Sequence, residues 1–334
     1  MLDIKTFENE MLAFGLSNGK GNKKCIKAIY ENGNHFVCIF DDGTKVKDTK
    51  NPDDTYFTYD FAENADIKIT NYCDAGCPYC HEGSTTKGEH ADLKSMHNVW
   101  ASLKPGTEMA IGGGNALAHP DLEWFLNVLK EKCVLTNLTV NQRHIVLYKD
   151  LIHKLIEEKL VNGIGISLVD SDNFPSEIVD SFGDNVVIHT IAGILTEKDL
   201  KVLHNRKVLV LGYKTLRRGK DFFSDEVARN IEWLKSNIGL VRNTVKLLSF
   251  DCLGIEQINP RQELNISEDD WNLLFQGSDT DVKDADGNIT CCTFYIDAVE
   301  KKVARMSTAA LDKRYDILAE DRVETLFEKS TQDW

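Results

Sequence analysis

The sequence contains no apolar run near the ~18 residues needed to cross a bilayer, which excludes a membrane-spanning helix. Its opening residues, MLDIKTFENEMLAFG, lack the basic start and continuous apolar core of a secretory signal peptide. Positive charge is also short: 39 Lys and Arg stand against 53 Asp and Glu, for a net charge of −14. That balance argues against an extended nucleic-acid-binding surface, though it leaves room for a local basic groove. No internal repeat or low-complexity tract interrupts the chain. What remains is 334 residues, 42% hydrophobic and 28% charged, enough for one large α/β domain or two ordinary ones.

Cysteine is not scarce. Nine are present, and in a chain without an export signal they read as thiols or metal ligands in a reducing cytoplasm rather than as disulfides. Three fall within NYCDAGCPYCHEGS (71–84). Cys77-Pro78-Tyr79-Cys80 matches a redox dithiol, but that motif opens a helix, and the helix-poor HEGSTTKGEH follows instead. Cys77 to His81 also spells a haem-attachment site, which requires export to an oxidising compartment. A structural zinc site needs a fourth ligand, and His81 adjoins Cys80 too closely to share a tetrahedron with it. The remaining reading uses Cys73, Cys77 and Cys80 together. Three thiolates on one loop can hold three irons of a [4Fe–4S] cube, leaving the fourth iron open to an exogenous chelator.

The surrounding pattern gives that loop a place. Residues 1–60 stand apart, with a hairpin predicted in HFVCIFDDGTKVKD (35–48) around an Asp42–Gly43 turn. From about Ala65, strands are expected at 66–70, 107–112, 134–140, 164–169, 186–191, 208–212 and 245–250. Helical faces lie between them: Leu93, Met96, Val99, Trp100 and Leu103; then Leu122, Phe125, Leu126 and Leu129. Two more follow: Leu147, Leu151, Ile152 and Leu155; then Val227, Ile231 and Leu234. Strands alternating with helices predict a parallel sheet closed or partly closed into a barrel, with chemistry at the strands' C-terminal ends. The cysteine loop follows the first of these strands. After Phe250 the alternation stops, and a β-hairpin (292–308) and a closing helix (322–330) are expected.

With Cys-x3-Cys-x2-Cys in this position, the chain resembles the radical S-adenosylmethionine (SAM) family over roughly residues 64–250. The resemblance implies a partial (β/α)6 TIM-like barrel at 63–250. A small N-terminal β element (1–62) would precede it, and a C-terminal hairpin and helix extension (251–334) would follow. It implies a cytoplasmic oxidoreductase whose [4Fe–4S] cluster, on Cys73, Cys77 and Cys80, cleaves SAM to a 5′-deoxyadenosyl radical that abstracts hydrogen from substrate. Tyr79 stands where the family seats adenine. Gly113 and Gly114 match its Gly-Gly-Glu motif, with Asn115 replacing the acid. Asn141 and Ser167 fall where polar groups face SAM, and Ile191 where the fifth strand packs beside adenine.

His189 sits in the same strand, where a core histidine is the plainer reading. Lys214, Arg217 and Arg218 form a compact basic cluster that could bind an anionic substrate, although solvated loop charge is simpler. Cys25, Cys38 and Cys133 read as buried small residues. The 292–308 region resembles the family's SPASM or twitch extension, yet Cys252, Cys291 and Cys292 form no clear set for an auxiliary cluster. Substrate is expected to be a peptide or protein side chain; the alternatives are a nucleoside or nucleotide-derived metabolite, or a non-enzymatic electron-transfer module. A flavodoxin- or ferredoxin-type electron donor would complete the system.

Overall fold

The computed structural model describes residues 2–17, 25–41, 44–54, 56–274 and 291–332. The expected Asp42–Gly43 turn lies outside them, but the strands it would join are present. A three-stranded antiparallel sheet runs β1 (Ile26–Asn32), β2 (His35–Phe40) and β3 (Lys45–Thr49). β2 is buried along its whole length, and alternation divides its two faces. Phe36, Cys38 and Phe40 pack with Phe7 and Met11 of a helix at Ile4–Ser17, which the sequence reading did not anticipate. Val37 and Ile39 face the other way, onto Leu135 of the main sheet.

That main sheet has ten strands. β4 (Asn64–Thr70), β5 (Glu108–Gly113), β6 (Leu135–Asn141), β7 (Gly163–Ser167), β8 (Val186–Ile191), β9 (Lys207–Leu211) and β10 (Leu247–Phe250) lie side by side, all parallel. β11 (Thr293–Asp297) adds in parallel to the free side of β4, and β12 (Lys302–Ala304) and β13 (Tyr315–Asp316) continue antiparallel. β4 therefore pairs with the C-terminal hairpin instead of β10, and the barrel stays open. All seven parallel strands fall at the expected places.

One face of each strand builds the core. Ile67, Ile69, Met109, Ile111, Leu138 and Ile166 are buried in it with Leu93, Met96, Val99, Trp100, Phe125 and Leu126 of the covering helices. Residues of the opposite parity, among them Lys68, Gly112, Thr139, Asn141, Gly165, Ser167, His189 and Ile191, point to the other face. That second face is polar and small-residue-rich, which leaves room for ligands.

Two expectations fail locally. Leu147 is 73% exposed, whereas Ile152 and Leu155 of the same expected face are buried together with Ile145; the helix at Ile145–Glu157 is kinked at Tyr148 (φ −107°). Cys25 and Cys133 are exposed, unlike Cys38; Cys133 occupies a left-handed position (φ 56°) in the turn before β6. Among the described residues no helix is long and apolar enough to cross a membrane.

Candidate active site

The loop after β4 is held by its own backbone. Asn71 N donates to Glu89 O at 2.8 Å, Cys73 N to Thr85 O at 2.9 Å, and Gly83 N to Cys80 O at 3.2 Å. Cys73, Cys77 and Cys80 are half-buried, and none forms a disulfide. Among the described residues, the one trio of potential metal-ligand atoms within 4.8 Å of one another is Cys73, Asp74 and His144. Burial raises the thiol pKa of Cys73 and of Cys77; a hydrogen bond from Asn141 and the charge of Arg143 partly offset this at Cys77.

Three other strand ends converge on this loop. At the end of β5, Gly113 adopts φ +112°, a conformation that side chains disfavour. A Cβ on Gly114 would lie 2.1 Å from Tyr72 O, so only glycine permits this approach. Gly114 N donates to Thr70 O at 2.7 Å and Asn115 N to Tyr72 O at 2.6 Å, lacing the turn to the cysteine loop. Asn115 is 2% exposed. Its amide nitrogen donates to Asp74 Oδ1 at 3.3 Å, and its Oδ1 is buried with no hydrogen-bond partner among the described residues.

From the end of β6, Asn141 Nδ2 donates to Cys77 Sγ at 3.3 Å while its Oδ1 accepts from Arg143 N at 3.0 Å. The Arg143 guanidinium donates to Ala75 O, and the His144 ring meets Asp74 Oδ1 at 2.8 Å through Nε2. Burial lowers the His144 pKa, against the pull of Asp74. Burial alone would raise the Asp74 carboxyl; hydrogen bonds from its own backbone, His144 and Asn115 hold it below its ordinary value.

After β9, the basic cluster is committed to the protein itself. Arg218 donates Nε to Cys77 O at 3.2 Å and Nη2 to Ser84 O at 3.0 Å; Arg217 Nη1 donates to His81 O at 3.1 Å. Lys214 Nζ donates to Ser307 Oγ at 3.0 Å. Arg217 stays 48% exposed, as the solvated-loop reading expects, while Arg218 is tied to the cysteine loop and Lys214 reaches the C-terminal extension. A further buried network was not foreseen. Lys68, 3% exposed, pairs with Asp297 of β11 at 2.6 Å and with Glu82 at 3.4 Å. Burial pulls the Glu82 carboxyl upward, but His81, Lys68 and Arg217 overcome it and bring it to about 2.

Beside the loop lies a cavity of about 470 Å³ at the ends of β7 and β8, lined by Tyr79, Leu168, Ile191, Asp199, Phe222 and Asn230, among others. Tyr79 and Ile191, far apart in sequence, thus share one wall. The Tyr79 ring meets Phe222 edge-on at 5.7 Å, and its hydroxyl is buried without a partner among the described residues. Burial raises its pKa well above the usual phenol range. Ser167 is outside the cavity lining, half-buried between Asn141 and His189 in sheet register. His189 lies across Gly165, where a Cβ would come 2.3 Å from the imidazole, and burial pushes its pKa down to about 4.

The remaining cysteines do not converge on this loop. Cys291 and Cys292 are buried, and Cys292 O accepts from Glu63 N and Asn64 N at 2.9 and 3.0 Å; Cys252 is exposed at the start of a helix (Cys252–Ile258). Asp74, Arg143, His144, Lys68 and Glu82 are the site residues that sequence reasoning missed. The available signals were a charged residue between Cys73 and Cys77, and a lysine in an apolar strand.

No protein-family model and no curated protein matches the chain. Solved structures do. Streptococcus suis SuiB bound to S-adenosylmethionine superposes with a TM-score of 0.57 at 13% identity, over 82% of this chain and 67% of that one. SuiB bound to precursor peptide SuiA gives 0.58 at 14% identity, over 98% of this chain and 77% of that one. At such identities the likeness establishes a shared fold.

Proposed function

We propose that this protein is a radical SAM enzyme. In this reading Cys73, Cys77 and Cys80 hold a [4Fe–4S] cluster. SAM would lie between the Gly113–Asn115 turn and the cavity walled by Tyr79 and Ile191, with Asn141 and Ser167 nearby. The observation that carries it is the placement of three half-buried thiols on one loop at the C-terminal end of the first parallel strand, in a fold shared with a SAM-bound protein. When bound, such a cluster supplies the electron that splits SAM into methionine and a 5′-deoxyadenosyl radical, which removes hydrogen from substrate.

The chain's own residues would prepare that chemistry. Asn141 directs an N–H at the Cys77 sulfur, and such bonds tune cluster potential. Arg218 and Arg217 fix the carbonyls of Cys77, His81 and Ser84, so the thiols are presented on a rigid loop. The Tyr79 ring offers a flat apolar surface on which adenine can rest. The orphaned Asn115 carbonyl offers an acceptor to the SAM amino group.

A peptide or protein side chain is the favoured substrate. The fold neighbour solved with its precursor peptide supports it, as does the hairpin extension joined to the barrel edge through β11. The hydrogen bonds of Arg217 and Arg218 to carbonyls of the cysteine loop favour the peptide reading over a nucleotide bound at this basic cluster. A cytoplasmic location and a flavodoxin- or ferredoxin-type donor complete the proposal, with 63–250 as the catalytic core.

Anaerobic reconstitution tests the metal centre. About four irons and four sulfides per chain are expected, lost on Cys73→Ala, Cys77→Ala or Cys80→Ala. They should be retained when Cys252, Cys291 and Cys292 are all replaced by Ala. Iron content near twice that value would contradict a single cluster.

A further inference from the structure

We propose that Asp74 supplies the negative charge that the Gly113-Gly114-Asn115 turn lacks, acting through Asn115 on the amino group of SAM. This rests on the radical SAM reading and locates one part of its ligand site. A side-chain amide has one end that accepts and one that donates, and the surroundings fix which is which. A carboxylate only accepts, so the NH2 of Asn115 must face Asp74 Oδ1, 3.3 Å away. The carbonyl oxygen then faces elsewhere, buried and unpartnered, on a residue 2% exposed. A buried acceptor left orphaned is costly, and a donor from a ligand would satisfy it.

Asp74 is well placed to strengthen that acceptor. Its Oδ1 takes the Asn115 amide at 3.3 Å and is held by the His144 ring at 2.8 Å, beside the cysteine loop's first thiol, whose sulfur lies within 4.8 Å. A hydrogen bond from the Asn115 amide to a carboxylate pushes electron density toward the amide oxygen, and bonds in such a chain reinforce one another. Asn115 thus works as an acid once removed. The charge has moved from the end of β5 to the cysteine loop, and the glycine turn keeps its geometry. Asp74 is a positioning and charge-supplying residue in this arrangement; Asn115 makes the contact.

A purely structural clasp would behave differently. Asp74→Asn retains an acceptor for His144 and Asn115 but removes the charge, so a clasp survives it and a charge relay does not. Labelled SAM is dialysed to equilibrium against anaerobically reconstituted protein, and bound SAM is normalised to bound iron. Asp74→Asn should weaken SAM binding about tenfold at unchanged iron content, the difference between a charge-assisted and a neutral hydrogen bond. Asn115→Glu alone should also weaken binding, because two carboxylates then face each other across the site. The double variant Asp74→Asn/Asn115→Glu should recover to within about threefold of wild type, a swap that no clasp predicts.

Wild-type affinity in Asp74→Asn, or no recovery in the double variant, overturns the proposal. Loss of iron in Asp74→Asn would make Asp74 a residue that holds the metal centre, and would overturn it equally. Wild-type protein that binds the cluster but no SAM at all would fail the functional reading itself.

Discussion

Cys77 receives an N–H from Asn141 at 3.3 Å, and its carbonyl is held by Arg218. A hydrogen bond to a ligating sulfur spreads negative charge and makes the added electron easier to hold. Asn141→Leu should therefore shift the reconstituted cluster to a more negative potential without loss of iron, in a redox titration followed by electron paramagnetic resonance. An unchanged potential would mean that the bond serves only the loop. At this scale the sequence was partly legible. Cys73, Cys77 and Cys80 lie on one loop, so their grouping could be read from spacing, whereas Tyr79 was singled out only by the family resemblance. Asp74 and His144 are 70 positions apart, and only the fold brings them to 2.8 Å. The roles of Arg217 and Arg218 were hidden for a similar reason: sequence displays the charge but not the carbonyls waiting for it.

The cysteine loop, held by its own backbone bonds, is braced further by neighbouring elements, among them the turn after β5. Gly114 is a tight point of that turn, where any Cβ would stand 2.1 Å from a backbone oxygen of the loop. Backbone cannot retreat as a flexible side chain can. Gly114→Ala should cost about 2 kcal/mol of stability, in the range of overpacked sites, and should reduce iron incorporation by opening the loop. Denaturant unfolding together with iron analysis checks both effects. Normal stability and full iron content would show that the turn yields easily. The seven parallel strands were readable because their apolar runs alternate with amphipathic helices, a pattern that local sequence carries. The helix at Ile4–Ser17 was not, because its apolar residues acquire meaning only from the face of β2 they cover. Leu147 was misplaced because the first turn of this helix gives Ile145, not Leu147, to the buried stripe that Ile152 and Leu155 continue.

Across the whole molecule, two buried charge networks join parts that are distant in sequence. Lys68 ties β4 to Asp297 of the C-terminal hairpin and to Glu82 of the cysteine loop. Glu63, the residue just before β4, ties the main sheet to the N-terminal one: His35 Nε2 lies 2.9 Å from it and Lys47 Nζ 2.7 Å. Burial would raise the Glu63 carboxyl, but His35, Lys47 and Lys45 bring it down to about 2. A carboxylate held below its unfolded value stabilises the fold above that value, and the contribution is lost as pH falls. Glu63→Gln should thus destabilise by about 3 kcal/mol at pH 7, since it leaves buried cations unpaired. The gap from wild type should narrow as pH drops below the ordinary 4.5 toward 2, measured by urea denaturation across that range. A gap independent of pH would assign the effect to packing.

The central claim is that Cys73, Cys77 and Cys80 serve a cluster that cleaves SAM. Its most direct test is to incubate anaerobically reconstituted protein with SAM and dithionite, then assay the products by chromatography and mass spectrometry. Release of 5′-deoxyadenosine and methionine, slow without the true substrate and abolished by Cys77→Ala, is the expected result. Intact SAM after prolonged incubation with a fully loaded and reduced cluster would contradict the account.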